Sequence, residues 1–242
     1  CNNGGFKWFY GDDGGMRSIA QADNYAGGSI QAVDIKTGAV ETLYTHCGEN
    51  QLRGPNDIVF DSQGGMYFTD LGKTRERDWD RTGIYYAKAD GSYIAEVAYP
   101  MVTPNGTSLS PDEKTLYVAE TWTGRLWAFE LESPGVVKPQ PWPIPHGGRL
   151  VANTSGFRNF DSLAVEAGGN ICIATLFDPG ITVMTPDGSS VEHIPVPGDP
   201  YVTNICFGGA DLKTAFITQS YYGNLLAADW PRAGLPLNFL NT

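Results

Sequence analysis

The chain has 242 residues, a formal net charge of −11, 30 glycines, 16 prolines, 12% aromatics and only 18% charged residues. That balance excludes the basic footprint of a nucleic-acid binder, the lack of an 18-residue apolar run excludes a membrane-spanning helix, and so few charges disfavour long solvated helices. What remains is one large all-β domain over residues 1–242, built from short strands and tight turns and burying roughly three-quarters of its unfolded surface.

The chain opens at Cys1 on CNNGGFKWFY, structured-looking sequence with no initiator Met and no leader. A chain cut upstream is expected. GSIQAVDIKTGAVETLYT reads as a hairpin turning at Thr37 and Gly38. GPNDIVFDSQGGMYFTD, from Gly54 to Asp70, is the first of four units on one plan. An Asn or Asp follows a loop, and an apolar strand, a Gly- or Asp-rich turn and a second strand come after it. Here Ile58 and Phe60 alternate with Val59 and Asp61, and Ser62, Gln63, Gly64 and Gly65 make the turn. RTGIYYAKADGSYIAEVAY adds two outer strands around Asp90 and Gly91. TPNGTSLSPDEKTLYVAE, Thr103 to Glu120, repeats the plan and leads into GRLWAFELE. RNFDSLAVEAGGNICIAT, Arg158 to Thr175, repeats it again and leads into ITVMTPDGSSVEHIPV. YVTNICFGGADLKTAFITQ, Tyr201 to Gln219, is the fourth copy.

The anchors Asn56, Asn105, Asp161 and Asn204 are spaced by about 49, 56 and 43 residues. That is the length of a four-stranded propeller blade with variable loops. A β-sandwich would need four matched copies by accident. CNNGGF looks like the tail end of a further blade, so four full blade openings and one partial blade are expected.

The first strands of propeller blades line the central channel, so anchors from separate blades converge at one end. Asn and Asp offer oxygen ligands, which suit hard cations such as Ca²⁺ or Mg²⁺. No Cys or His spacing demands zinc. No Gly-x-Ser-x-Gly elbow, phosphate loop or dinucleotide fingerprint is present. Cys172 and Cys206, in apolar runs, read as buried free thiols. His46, His146 and His193 read as surface or structural residues. Arg53 is a candidate for holding substrate hydroxyls or a carboxylate, with a surface position as the alternative. Trp8, Tyr10, Trp79 and Trp122 are candidates for stacking on a ring, with core packing as the alternative. Asn2 and Asn3 are placed near the same mouth.

The four openings, "PND", "PNG…SPDEKTLYV", "FDSLAVEAGGNICIA" and "TNICFGGADLKTAFIT", resemble those of the SMP-30/gluconolactonase/LRE-like family, in that family's order and over nearly the whole chain. The resemblance implies a six-bladed β-propeller with a divalent cation in its tunnel, hydrolysing sugar lactones and related cyclic esters. It assigns Asn105 and Asp161 as metal ligands, Asn56 to substrate or water near the metal, and Ser162, where the family usually has Gly, as an added ligand oxygen. The family's third ligand, an early Glu, would lie upstream of Cys1. About one N-terminal blade, roughly 60 residues by the repeat length, is therefore expected to be missing, with a missing N-terminal segment or a homodimer contact covering the exposed sheet. The cation is expected to be Ca²⁺, with Zn²⁺, Mn²⁺ or Mg²⁺ as alternatives. Asp161 is expected to serve as ligand and general base together. Asp57 is a second base candidate, set against its reading as a turn carboxylate accepting backbone N–H bonds. The expected function is metal-dependent lactone hydrolysis, in the cytoplasm. The alternatives are a non-catalytic propeller scaffold and a paraoxonase- or strictosidine-synthase-like enzyme.

Overall fold

The structure is a computed structural model that describes residues 1–240. Its strands follow the repeat. β1 (Phe6–Tyr10) and β2 (Met16–Gln21) form a hairpin, as do β3 (Ile30–Val33) and β4 (Val40–Tyr44), and β5 (His46–Cys47) pairs with β6 (Asn50–Gln51). The first complete blade holds β7 (Pro55–Phe60), β8 (Gly65–Asp70), β9 (Thr82–Lys88) and β10 (Ile94–Met101) in that order. The second holds β11 (Pro104–Leu109), β12 (Thr115–Glu120) and β13 (Arg125–Ser133), extended by the short β14 (Val136–Val137) and closed by β15 (Arg149–Asn153). The third holds β16 (Asn159–Val165), β17 (Ile171–Leu176), β18 (Gly180–Met184) and β19 (Val191–Pro195). The fourth is three-stranded, with β20 (Val202–Gly208), β21 (Thr214–Gln219) and β22 (Asn224–Asp229). Among the described residues the protein is thus all-β, a β-propeller with four blades, and no helix is long and apolar enough to cross a membrane.

Period-two alternation explains why the second strands read as unbroken apolar runs. Met66 and Phe68 of β8 point into a core shared with Ile30, Tyr44 and Leu52, while Tyr67 points the other way, into a core shared with Leu116 and Phe129. Tyr117 of β12 meets Phe160, Leu163 and Ile173. Cys172 of β17 meets Val202, Ile205 and Ile217. Each core therefore lies between two neighbouring sheets, and the blades are held to one another through these faces.

The fourth blade departs from this pattern. Cys206 is exposed, against the sequence expectation of a buried thiol. An extra residue between Val202 and Asn204 shifts the register, so Asn204 and Cys206 share the face of β20 that no other sheet covers, while Ile205 faces the core. Cys172 is fully buried, as expected.

The innermost strands stand side by side, with β11 packed between β7 and β16, and β16 next to β20. Their starts lie at one end of the channel.

Candidate active site

All four innermost strands break register near their anchors. Pairing jumps from Pro55 to Ile58 in β7, from Pro104 to Thr107 in β11, from Phe160 to Leu163 in β16 and from Val202 to Asn204 in β20. Each jump inserts one extra residue opposite the partner strand. A bulge of this kind re-aims side chains and is a recurring device beside functional sites. The motif residues Asn56, Asn105 and Asp161 fall inside these bulges.

Their side chains line a cavity of about 570 Å³ at this end of the channel. The ends of the second strands and the loops that follow them supply Leu71, Thr121, Trp122, Leu176, Phe177 and Ser220, and the β1–β2 hairpin supplies Phe6, Trp8, Arg17 and Ile19. Asn159, Tyr201 and Thr203 also line it. The wall thus mixes apolar and aromatic side chains with polar groups, on the innermost strands (Asn56, Asn105, Asn159, Asp161, Thr203) and outside them (Arg17, Thr121, Ser220), which is the general character of a small-molecule pocket.

Asn105 is 3% exposed. Its amide nitrogen donates to Thr121 Oγ1 at 3.0 Å, and its backbone carbonyl accepts the Thr69 hydroxyl at 2.6 Å. Its Oδ1 is shielded from solvent and has no hydrogen-bond donor. Asp161 lies against the Asn105 amide and accepts the Ser162 N–H at 3.0 Å. Burial pushes the Asp161 carboxyl up to about 7. The Asp57 charge adds to that push, against the opposing Asn105 amide and Ser162 N–H.

Asp57 and Arg53 take the alternative places set against their site roles, a carboxylate on backbone N–H groups and a surface arginine, and Ser162 leaves its expected place. Asp57 is not part of the cavity wall. Its carboxylate accepts the Thr107 N–H at 3.1 Å and the Ile58 N–H at 3.0 Å, tying β7 to β11. Burial pushes it up to about 6 in spite of these bonds and one from the Ser162 hydroxyl. Ser162 is buried and turned toward Asp57 rather than into the cavity with Asp161. Arg53 is exposed, its guanidinium 3.5 Å from Gln51 Oε1. What position 53 contributes is its backbone: its N–H, like that of Gly54, donates to the buried Asp70 carboxylate at 2.7 Å.

Of the four aromatic candidates, Trp8 and Trp122 line the cavity, whereas Tyr10 and Trp79 are exposed elsewhere. Asn2 bonds Gln31, and Asn3 faces the buried Lys73 amine, both away from the cavity wall. His146 packs on Trp127 and His193 bonds Thr182, so both are structural. Phe177, Tyr201, Thr121 and Asn159 are wall residues that the sequence reading did not single out. Thr121 and Phe177 follow second strands of aligned repeats, and that position was the available signal.

The residues present fit a cation in one specific respect. Asn105 Oδ1 is a buried acceptor without a donor, and such an atom costs about 1–3 kcal/mol if left unpaired. Asp161 beside it has no Lys, Arg or His ion-pair partner among the described residues. Both oxygens want positive charge. The donor set is small, since no cluster of three or more His, Cys, Asp or Glu occurs among the described residues.

Residues 17–221 match the family described as SMP-30/Gluconolactonase/LRE-like region. The chain is 33% identical over 189 residues to lactonase drp35 of Staphylococcus saprophyticus, covering 77% of this chain and 55% of that one. It is 32% identical over 143 residues to lactonase drp35 of Staphylococcus haemolyticus, covering 59% and 42%. The chain thus spans about half the length of the curated relatives it matches. Among solved structures, a gluconolactonase from Xanthomonas campestris superposes with a TM-score of 0.65 at 24% identity, over 94% of this chain and 80% of that one. The calcium-binding protein regucalcin from Agrobacterium tumefaciens superposes with a TM-score of 0.69 at 17% identity, over 96% and 77%. At such identities the structural likeness shows the fold alone.

Proposed function

The chain belongs to the SMP-30/gluconolactonase/LRE-like family, and from that premise we propose that it hydrolyses a lactone with a divalent cation, Ca²⁺ first, held at the channel floor. The observation that carries this reading is the buried Asn105 Oδ1, an acceptor without a donor, next to the Asp161 carboxylate, which has no ion-pair partner among the described residues, on the wall of a 570 Å³ cavity. Oxygen donors of this type favour a hard cation, and the names of the lactonase relatives and of regucalcin agree with it.

Asn105 Oδ1 and Asp161 would hold the cation, with the remaining positions left to water and substrate. When bound, such a cation would polarise the lactone carbonyl and lower the pKa of a water. Asp161 is the residue that takes the proton from the attacking water, because it is the carboxylate on the wall and Asp57 is committed to backbone N–H groups. Asn56, on the same wall, orients the substrate or the water. Trp122, Phe177 and Leu176, on the same wall, offer apolar faces for the ring to pack against.

The test is hydrolysis of gluconolactone and dihydrocoumarin by wild type and Asp161→Ala, with EDTA and then with Ca²⁺, Zn²⁺ or Mn²⁺ restored. The expected result is activity that EDTA abolishes, a metal restores and Asp161→Ala lowers at least about a hundredfold. Activity unchanged by EDTA and by Asp161→Ala would overturn the reading.

A further inference from the structure

Asn105 has a neighbour whose chemistry goes beyond packing. Thr121 stands at the end of β12, and its Oγ1 is the acceptor for the Asn105 amide nitrogen at 3.0 Å. An amide whose nitrogen is engaged this way has its oxygen on the other branch. That oxygen, Asn105 Oδ1, is the one without a donor. We propose that Thr121 is a positioning residue: it holds the Asn105 amide by its nitrogen and so presents the oxygen for a divalent cation. This rests on the cation reading of the preceding section.

The position of Thr121 is itself fixed from several sides. Its N–H donates to the Thr103 carbonyl at 3.0 Å, and the Trp122 N–H donates to Thr103 Oγ1 at 3.1 Å. Thr103 is buried and holds a left-handed φ of 47°, which a β-branched residue adopts only when its surroundings impose it. The Glu120 carboxylate, 2% exposed, accepts the Val102 N–H at 2.9 Å and the Thr123 hydroxyl at 2.7 Å. The turn after β12 is thereby clamped to the approach of β11. Asn105 is held at its other end by the Thr69 hydroxyl on its carbonyl. Backbone and side chain of Asn105 are both located, from two different blades, before any ligand arrives. Partners of this kind orient a ligand side chain, and losing one typically costs about 10- to 100-fold in metal affinity.

Thr121→Val keeps the shape and β-branching of Thr and removes only the hydroxyl, so a Thr that acted through packing alone would leave Ca²⁺ affinity unchanged on that replacement. Thr121→Val and Thr121→Ser separate the two roles. Titration calorimetry with Ca²⁺ alone on the full chain is expected to show at least about tenfold weaker binding by Thr121→Val, and near wild-type binding by Thr121→Ser, which retains the acceptor. Crystal structures of metal-free wild type and Thr121→Val are expected to show the Asn105 amide turned away from residue 121 in the variant. Equal Ca²⁺ affinity in wild type and Thr121→Val would overturn the proposal. If wild type bound no Ca²⁺, Mn²⁺ or Zn²⁺, the cation reading would fail by itself. The amide then decides for Thr121: an orientation unchanged in Thr121→Val overturns its positioning role.

Discussion

Gly106 follows Asn105 where β11 passes close against β16. A Cβ there would stand 2.6 Å from the Asp161 carbonyl oxygen and 2.7 Å from the Leu163 nitrogen. Both are backbone atoms, which have nowhere to go. Its φ is not positive, so close approach rather than a special turn is what requires glycine here. Gly106→Ala is expected to lower unfolding stability by about 1–3 kcal/mol, the usual cost of overpacking, read as a lower midpoint in a urea titration. It is also expected to weaken Ca²⁺ binding, because relief of the clash moves Asp161 away from Asn105. An unchanged midpoint would contradict the contact. The motif residues Asn56, Asn105 and Asp161 were legible in the sequence because the repeats align them at equivalent blade openings. Ser162 drew its ligand role from the family resemblance, and Asp57 was a base candidate set against its reading as a carboxylate on backbone N–H groups. The structure turns them between the strands instead, since an extra residue in each strand breaks the alternation from which side-chain direction is read. No residue pattern announces that insertion. Arg53 was chosen for its charge, and in the fold it is the N–H at position 53 that matters.

At the level of elements, a hydroxyl joins the β7–β8 hairpin to β11 beside the link made by the Asp57 carboxylate. Thr69 of β8, fully buried, donates to the Asn105 carbonyl at 2.6 Å and accepts the Asp57 N–H at 3.2 Å. Both backbone groups lie in bulges, where the sheet ladder cannot reach them, so a side chain must serve them. Thr69→Val keeps the volume and leaves both groups unpaired. The expected cost is about 1–3 kcal/mol in a denaturant titration, with Thr69→Ser recovering most of it. A Thr69→Val protein as stable as wild type would show that water takes over the bridge. The hairpins themselves were plain in the sequence. The turn at Gly38 has a φ of 72° and that at Gly91 a φ of 79°, where glycine belongs. β15 was not marked, because it joins β13 only after an intervening segment that carries β14. The missing cue is sequence distance: repeat spacing locates the hairpin-connected strands and says little about a strand that returns from a long connection.

Across the whole molecule, the segment after β22 laces the blades together at the end away from the cavity. The Gly234 N–H donates to the Leu212 carbonyl at 2.9 Å, the Leu235 N–H to Val165 at 2.8 Å, and Asn238 Nδ2 to Phe60 at 3.1 Å and Glu113 at 2.7 Å. Those partners lie in or beside the first turns of all four blades, so the tail spans from the last blade to the first. The repeat pattern had nothing to say about this stretch, which belongs to no blade. Its anchor is Glu166, fully buried, whose carboxylate accepts Trp230 Nε1 at 2.8 Å, Arg232 Nε at 2.6 Å and Asn170 Nδ2 at 2.9 Å. Burial alone would raise its pKa, but the bonds from Arg232, Trp230 and Asn170 outweigh burial and hold it below the ordinary glutamate value of 4.5. A carboxylate depressed in the folded state contributes stability that is fully present above its unfolded value. That stability is lost as pH falls through the folded value. The Glu166 share is therefore read as the difference between wild type and Glu166→Gln, because the raised Asp57 and Asp161 carboxyls act in the opposite direction as the pH falls from 7. Glu166→Gln should be destabilised at pH 7 by about 1–2 kcal/mol, a figure kept low because the Arg232 side chain is 39% exposed and its pairing is screened. Because the variant has no carboxylate to protonate, its deficit should shrink as the pH is lowered. A deficit that stays constant from pH 7 to pH 3.5 would mean that Glu166 acts through packing, and that the tail is held by its backbone bonds alone.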